Sequence, residues 1–357
     1  MIKILHSADW HLDSPLVGFS DAQRDTLRQN LLALPGKIAH ICKQENCDLV
    51  LLAGDLFDGT PGRDSIYAVK NALEEMAVPV FITPGNHDFC STSSPYLTET
   101  WPENVHIFTR PVMEAITLAD LSCKVYGAGY TAMDCGNLLE GFIALGSETH
   151  HIGILHADPA TADSTYCPIT KQQIADSALQ YLALGHIHKG DRLTAGQTLC
   201  LWPGCPMGRG YDEPGEKGVM IVTCDDSVST RFIPLNVPRF WDLDCLAEDD
   251  PATALEKILP PLGNEDFYRI TLTGPSEKPD IPALLATFSR FPNLVLRDNT
   301  QPPLDLWGSA GQDSLEGTYF KMLQDQLANA DETQRKRILL AARISRQILN
   351  SQEVQLP

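Results

Sequence analysis

The chain has 357 residues, with 46 acidic against 27 basic side chains and a net charge of −19. Its hydrophobic content of 43% and charged content of 20% are ordinary for a soluble globular protein; no apolar stretch approaches the ~20 residues of a membrane span, which excludes a membrane partner. The acidic balance argues against tight, independent binding of DNA, whose affinity comes from Lys and Arg on phosphates, but it leaves room for a local basic groove, metals facing the substrate, or a partner that supplies the grip.

At roughly 150 residues per domain, two domains are expected, or one large α/β domain with appendages. Ile2–His6 reads as a short buried strand that starts at once, with no signal-peptide pattern, so a cytoplasmic protein is expected. Asp21–Glu45 has helical periodicity, with Leu27, Leu31, Leu34, Ile38 and Ile41 on one face; Pro35 and Gly36 are expected to break it in two. Asp48–Ala53 reads as a buried strand, Asp64–Met76 as a helix, and Val80–Thr83, Val105–Phe108 and Lys124–Gly127 as strands. Ile152–Leu155 and Tyr181–Leu184 follow, and Val219–Thr223 with Thr230–Ile233 reads as a closing hairpin. Strand, loop and helix in repetition predict an α/β domain over 1–235, with a second sheet packed on the first. Beyond it, strands at Phe240–Leu246, Phe267–Thr273 and Leu294–Arg297, with helices Ala252–Leu259 and Ile281–Phe291, predict a small α+β cap over 239–300. Asn299–Leu306 reads as a linker, and Ser314–Ala328 and Glu332–Asn350 read as helices within a C-terminal segment, 313–350. The last helix is cationic (Arg335, Lys336, Arg337, Arg343, Arg346) with an apolar stripe of Leu340, Ile344 and Ile348.

Five polar patches run down the first domain, each just after a predicted strand. They are Asp9-Trp10-His11, Gly54-Asp55-Leu56-Phe57-Asp58, Gly85-Asn86-His87-Asp88, His156, and Gly185-His186-Ile187-His188. Open α/β sheets place their sites at that edge. Asp55 has two oxygens with which to bridge two cations, and Gly54 lets the backbone approach closely. Asp9 and His11, one residue apart at a strand end, can converge on one ion. His186 and His188 repeat that spacing and can serve one ion each. Asn86 offers a neutral oxygen, and His156 completes the second ion. Mixed Asp, His and Asn donors suit Mn²⁺, Fe²⁺ or Zn²⁺; two such ions ~3.5–4 Å apart favour in-line displacement at phosphorus. His87 stands at the rim as general acid, with Asp88 expected to orient its ring. The other histidines, His6, His40, His106, His150 and His151, lack this context. His151 begins the strand that ends at His156, so ~3.3 Å per residue puts it ~16 Å away. The ten cysteines contain no Cys-x-x-Cys and read as buried free thiols.

The set of patches resembles the calcineurin-like metallophosphoesterases. His6-Ser7-Ala8-Asp9-Trp10-His11-Leu12 with Ala53-Gly54-Asp55-Leu56-Phe57-Asp58 resembles the nuclease subunit of the bacterial SbcCD complex. Leu12-Asp13-Ser14-Pro15 with Trp202-Pro203-Gly204-Cys205-Pro206-Met207-Gly208-Arg209-Gly210 is closer to the YhaO-type branch of that family. The resemblance covers about 1–235 and implies an α/β/β/α two-sheet sandwich. It implies one metal on Asp9, His11, Asp55 and His188, the other on Asp55, Asn86, His156 and His186, and His87 as catalytic histidine. It further implies Mn²⁺-dependent cleavage of DNA, as exonuclease and as endonuclease on single strands, in DNA repair. An SMC-like ATPase of the SbcC or YhaN type would be gripped by the C-terminal helices, and the relatives' dimers imply a homodimer. Asp58 stands where some relatives have a second histidine, and Cys205 and Met207 replace polar residues in the loop. Arg209 has two readings, a phosphate contact or a loop-stabilising salt bridge. A stand-alone phosphodiesterase or phosphatase acting on nucleotides or other small phosphoesters is the alternative function, and the acidic composition suits it.

Overall fold

The computed structural model describes residues 1–159, 164–247, 250–302 and 304–350. It divides into two compact units, Met1–Asp242 with Glu265–Tyr268, and Leu243–Asn264 with Arg269–Pro357.

In the first unit the chain runs β1 (Ile2–Ser7), α1 (Asp21–Glu45), β2 (Leu49–Leu52), α2 (Arg63–Met76), β3 (Val80–Ile82), α3 (Pro95–Thr98) and β4 (Val105–Ile107). It continues with β5 (Glu114–Leu118), β6 (Cys123–Gly127), β7 (His150–His156), α4 (Lys171–Asp176) and β8 (Tyr181–Gly185). Then come β9 (Asp191–Ala195), β10 (Thr198–Trp202), β11 (Gly218–Cys224) and β12 (Val228–Pro234). Two six-stranded sheets result, in the orders β12-β11-β1-β2-β3-β4 and β5-β6-β7-β8-β10-β9.

Alternation along the strands dictates the layers. Leu5, Val50, Leu52 and Ile82 face one way and pack on Leu27, Leu34 and Ile38 of α1 and Val69 and Leu73 of α2. Ile4, Leu49, Leu51 and Phe81 face the other way and meet Val125, Ile152, Ile154 and Tyr181 of the second sheet. The far face of that sheet, with Leu155, Leu182 and Leu184, packs on Ile174 of α4. The result is the expected α/β/β/α sandwich, a mixed α/β fold.

The expected break at Pro35 does not occur: α1 runs unbroken through it, opened by a capping box between Ser20 and Gln23 and closed on Asn46 in the left-handed conformation. An interior proline costs ~3 kcal/mol, but Leu31, Leu34, Ile38 and Ala39 are all buried around it, and burial is worth roughly 1.5–3 kcal/mol per large apolar side chain. Packing therefore outweighs the missing hydrogen bond. The edge strands β5 and β9 escape the sequence pattern because both carry charged residues and are largely solvated.

Strands β13 (Phe240–Leu246), β14 (Phe267–Pro275) and β15 (Leu294–Gln301) form a three-stranded sheet in that order. Helices α5 (Pro251–Ile258), α6 (Ile281–Thr287), α7 (Leu315–Ala328) and α8 (Glu332–Leu349) complete the second unit. β15 extends to Gln301, into the segment expected as linker. Arg346, expected on a solvated cationic face, is 8% exposed. Its guanidinium donates to Leu306 O and Ser309 Oγ, pairs with Glu316 and lies 4.0 Å over the Phe320 ring. Ile348, expected in an apolar stripe, is 59% exposed.

Within the first unit, Phe240 stacks on Phe267 at 4.7 Å and meets Phe19 and Tyr211 at 5.7 and 5.3 Å. Phe240→Ala is expected to lower stability by about 3–5 kcal/mol in urea unfolding; a loss below about 1 kcal/mol would show that the cluster repacks around the gap.

Candidate metal centre

All five patches meet at one end of the two sheets. The parallel pairing of β1 with β2 continues past the strands: Asp9 N donates to Gly54 O (3.0 Å), His11 N to Asp55 O (2.9 Å) and Leu12 N to Leu56 O (3.0 Å). This lacing carries Asp9 and His11 alongside Asp55. Asp9, His11, Asp55 and His186 all have positive φ, at 55°, 47°, 51° and 94°. Residues with side chains rarely adopt that region, and strain of this kind gathers at functional sites. Gly54 answers the expected close approach: at φ +91°, a Cβ there would stand 2.4 Å from His156 Nδ1.

Asp55 lies between two groups of donors. Its Oδ1 accepts from His87 N at 2.9 Å, while Oδ2 lies 3.3 Å from His156 Nε2 and 3.7 Å from His11 Nε2. His156 Nδ1 donates to Ala53 O (2.9 Å), which turns Nε2 toward Asn86 Oδ1 at 3.0 Å. His11 Nε2 and His188 Nε2 face each other at 3.1 Å. Donor atoms of Asp9, His11 and His188 lie within 4.8 Å of one another, as do those of Asp9, Asp55 and His156, and those of His11, Asp58 and His87. His186 is the looser member: its backbone N–H donates to Asp9 Oδ1 at 3.0 Å, and its ring stands 5.2 Å from that of His156 and 5.0 Å from that of Tyr166. Among the described residues it joins none of these three clusters.

The donors fit divalent cations. Asp9 Oδ2 is buried with no hydrogen-bond partner, a costly state for a carboxylate that a cation would relieve. Burial pushes the Asp9 carboxyl up against the pull of His156 and His188. Asp55 sits well below the usual carboxylate range: burial opposes this, but His156 and His11 prevail. His156 is pushed up to about 9, with burial opposing and Asp55 prevailing; a cation would take the place of its Nε2 proton. Burial lowers His11 to about 3 and His186 to about 4, which keeps both neutral, as metal binding requires.

His87 lies at the rim, its side chain 44% exposed and its Nδ1 2.9 Å from Asp58 Oδ1. The Asp58 hydrogen bond raises its pKa, against burial. Asp88, expected to orient this ring, does not: it is fully committed elsewhere. Its Oδ1 accepts from Gly85 N (2.7 Å), and its Oδ2 from Leu56 N (2.7 Å), Phe57 N (3.2 Å) and Tyr96 OH (2.6 Å). Asp88 ties the third ligand loop to the second, and Asp58 takes the orienting place. The salt-bridge reading of Arg209 matches its contacts, to Glu213 at 2.7 Å and Asp58 at 3.8 Å.

Glu213 is the residue that sequence reasoning missed. Its Oε1 is 2.7 Å from His188 Nδ1, yet no strand precedes it and no motif marks it. Burial opposes its ionisation, but His188 and Arg209 hold it well below the usual range. Outside the centre, His6 meets Tyr181 OH (2.7 Å), His150 meets Gln180 (2.8 Å) and His151 meets Tyr126 OH (2.9 Å).

Residues 2–190 match the model of the calcineurin-like phosphoesterases. The chain is 31% identical over 234 residues to YhaO of Bacillus subtilis (strain 168), an uncharacterized metallophosphoesterase, across 62% of this chain and 57% of that one. It is 24% identical over 267 residues to the SbcD component of the SbcCD nuclease of the same bacterium, across 62% of this chain and 66% of that one. The chain thus spans less than two thirds of the length of either relative. A crystal structure of a dimetal phosphatase from Danio rerio is 12% identical, with a TM-score of 0.44, over 65% of this chain and 95% of that one.

Asp55→Ala removes the one carboxylate shared by both donor groups. The expected outcome, by metal analysis after dialysis against Mn²⁺, is loss of both equivalents; retention of either would refute the bridging geometry.

Proposed function

Because the chain belongs to the calcineurin-like phosphoesterase family, we propose that it is a two-metal phosphodiesterase that cleaves DNA in repair, working with an SMC-like ATPase. The observation that carries the hydrolytic part is the placement of His87. Asp9, His11, Asp55 and His156 are at most 1% exposed, whereas His87 opens to solvent directly beside them, its ring 4.8 Å from that of His11. Asp9, His11, Asp55 and His188 would hold one cation, and Asp55, Asn86, His156 and His186 the other. Bound there, two cations would supply Lewis acidity toward a phosphoryl oxygen and activate water; Mn²⁺ is our first choice, ahead of Fe²⁺ or Zn²⁺.

The chain's own residues do the rest. Asp58 accepts from His87 Nδ1–H, which fixes the ring and sustains its positive charge, so that Nε2–H is the proton presented outward. A phosphodiester seated over the ligands would have its leaving oxygen within reach of that proton, and His87 would give it up as general acid. Gly85 N and the amides of Leu56 and Phe57 hold Asp88, so the loop that carries Asn86 and His87 keeps its position through the reaction.

The DNA reading is supported by the shared Asp-Trp-His and Gly-Asp-Leu-Phe-Asp stretches and by the SbcCD nuclease among the relatives. The partner reading is supported by apolar side chains left open on α7 and α8: Leu315 is 90%, Met322 58% and Ile348 59% exposed. We place the protein in the cytoplasm, a reading supported by ten free cysteines. No helix among the described residues is long and apolar enough to cross a membrane. The net charge of −19 favours the second reading, a small phosphodiester as substrate.

His87→Gln is expected to keep both Mn²⁺ equivalents and lower kcat by roughly 100- to 10,000-fold, the range of a general acid; parental turnover would sink the mechanism. End-labelled linear DNA and bis-p-nitrophenyl phosphate, each assayed in Mn²⁺, separate the substrates. Turnover of the small ester alone, with and without the ATPase, would favour the second reading. Removal of 313–357 is expected to abolish capture of a coiled-coil ATPase, and undiminished capture would refute the role of the tail.

A further inference from the structure

We propose that Glu213 and Arg209 are positioning residues that lock His188 and His87 into one orientation each and couple the two. The inference rests on reading His188 as a ligand and His87 as the acid.

Glu213 Oε1 lies 2.7 Å from His188 Nδ1. An ionised carboxylate can only accept, so Nδ1 carries the ring proton and Nε2 presents its lone pair. That Nε2 is the atom facing His11 Nε2. A carboxylate behind a ligating imidazole fixes its tautomer and ring orientation and raises its basicity.

Arg209 in turn grips Glu213 three times. Its backbone N–H donates to Oε2 at 2.8 Å, its Nη2 to Oε1 at 2.7 Å and its Nε to Oε2 at 3.4 Å. This is a guanidinium fork on a carboxylate, a geometry that lysine cannot reproduce. The remaining arm, Nη1, stands 3.8 Å from Asp58 Oδ2, and Asp58 Oδ1 meets His87 Nδ1 at 2.9 Å. Five side chains therefore form one path, His188–Glu213–Arg209–Asp58–His87. Its interior is largely closed to water, with side-chain exposures of 7% for Glu213, 16% for Arg209 and 20% for Asp58, so its charges are weakly screened. The backbone supports the same assignment: Glu213 N donates to Gly210 O at 3.1 Å, closing a turn that aims the carboxylate at His188. Arg209 is thereby committed to two carboxylates and is not free to seize a phosphate without breaking this path.

Glu213→Gln keeps the size of the side chain and an acceptor for the His188 proton but removes the charge. In calorimetric titration with Mn²⁺, one of two binding steps is expected to weaken roughly 10- to 100-fold and the other to change little. In the imidazole ¹H–¹⁵N spectrum of the metal-free protein, the His188 signal is expected to leave the single Nδ1–H form, and the His87 signal to move with it. Arg209→Lys, which keeps a charge but loses the fork, is expected to move both imidazole signals and guards against a folding defect specific to Glu213→Gln. Unchanged Mn²⁺ steps and unmoved signals in Glu213→Gln would overturn the proposal; movement of His188 alone in both variants would overturn the coupling. A His188→Ala protein that binds both Mn²⁺ normally would instead sink the ligand assignment on which the inference rests.

Discussion

Two carboxylates buried side by side, Asp9 and Asp55, are the constraint around which the first unit is organised. Each is at most 1% exposed, and an uncompensated charge in such a place costs several kcal/mol. The chain meets that cost in two ways. Backbone amides of His186 and His87 each take one carboxylate oxygen, and histidines surround the remaining ones. The oxygens that amides leave free, Asp9 Oδ2 and Asp55 Oδ2, point at the same small space, where only cations can satisfy them together. The sandwich makes this arrangement possible because the donors come from strand ends of both sheets: β1 and β2 of one, β7 and β8 of the other.

The same constraint explains why so much of the centre was legible in sequence. A ligand placed just after a buried strand has its position set by that strand, and five apolar runs followed by polar patches mark five such positions. Positive φ at Asp9, His11, Asp55 and His186 is the local consequence: the chain must turn sharply as it leaves the sheet for side chains of neighbouring strands to converge. The non-ligand histidines were legible for the converse reason. His6 and His151 lie inside strands, and their rings pair with tyrosine hydroxyls.

What stayed hidden depends on contacts that no local pattern encodes. Asp88 is next to His87 in sequence, yet adjacent residues in a loop point apart, and Asp88 turns inward to hold backbone amides while Asp58, 29 residues away, reaches the ring. Glu213 lies on a loop without apolar periodicity, and its role appears only when β10 and β11 bring that loop against His188. Pro35 looked like a helix break because propensity is local, whereas the burial of Leu31, Leu34 and Ile38 on both sides of it is tertiary. Arg346 looked like one cation among several on a solvated face; its burial depends on Glu316 and Ser309, 30 and 37 residues away.

The acidic balance of the chain takes on a definite meaning at the centre. The cleft beside His186 and His188, about 750 Å³, is lined by Lys189 and Lys217 but also by Asp158, Asp212 and Glu213. Arg209, the nearest guanidinium to the ligands, is committed to Glu213 and Asp58. Side chains here therefore offer an anionic substrate little net attraction, and the positive field at the mouth must come from the cations that the buried carboxylates hold. Substrate binding and metal loading are then one coupled event. A long polyanion needs further contacts outside this cleft, which is where a partner docked on α7 and α8 would enter, while a small phosphodiester needs none. The choice between the two substrates thus turns on whether such a partner supplies the missing positive surface, and not on the chemistry of the centre, which serves both.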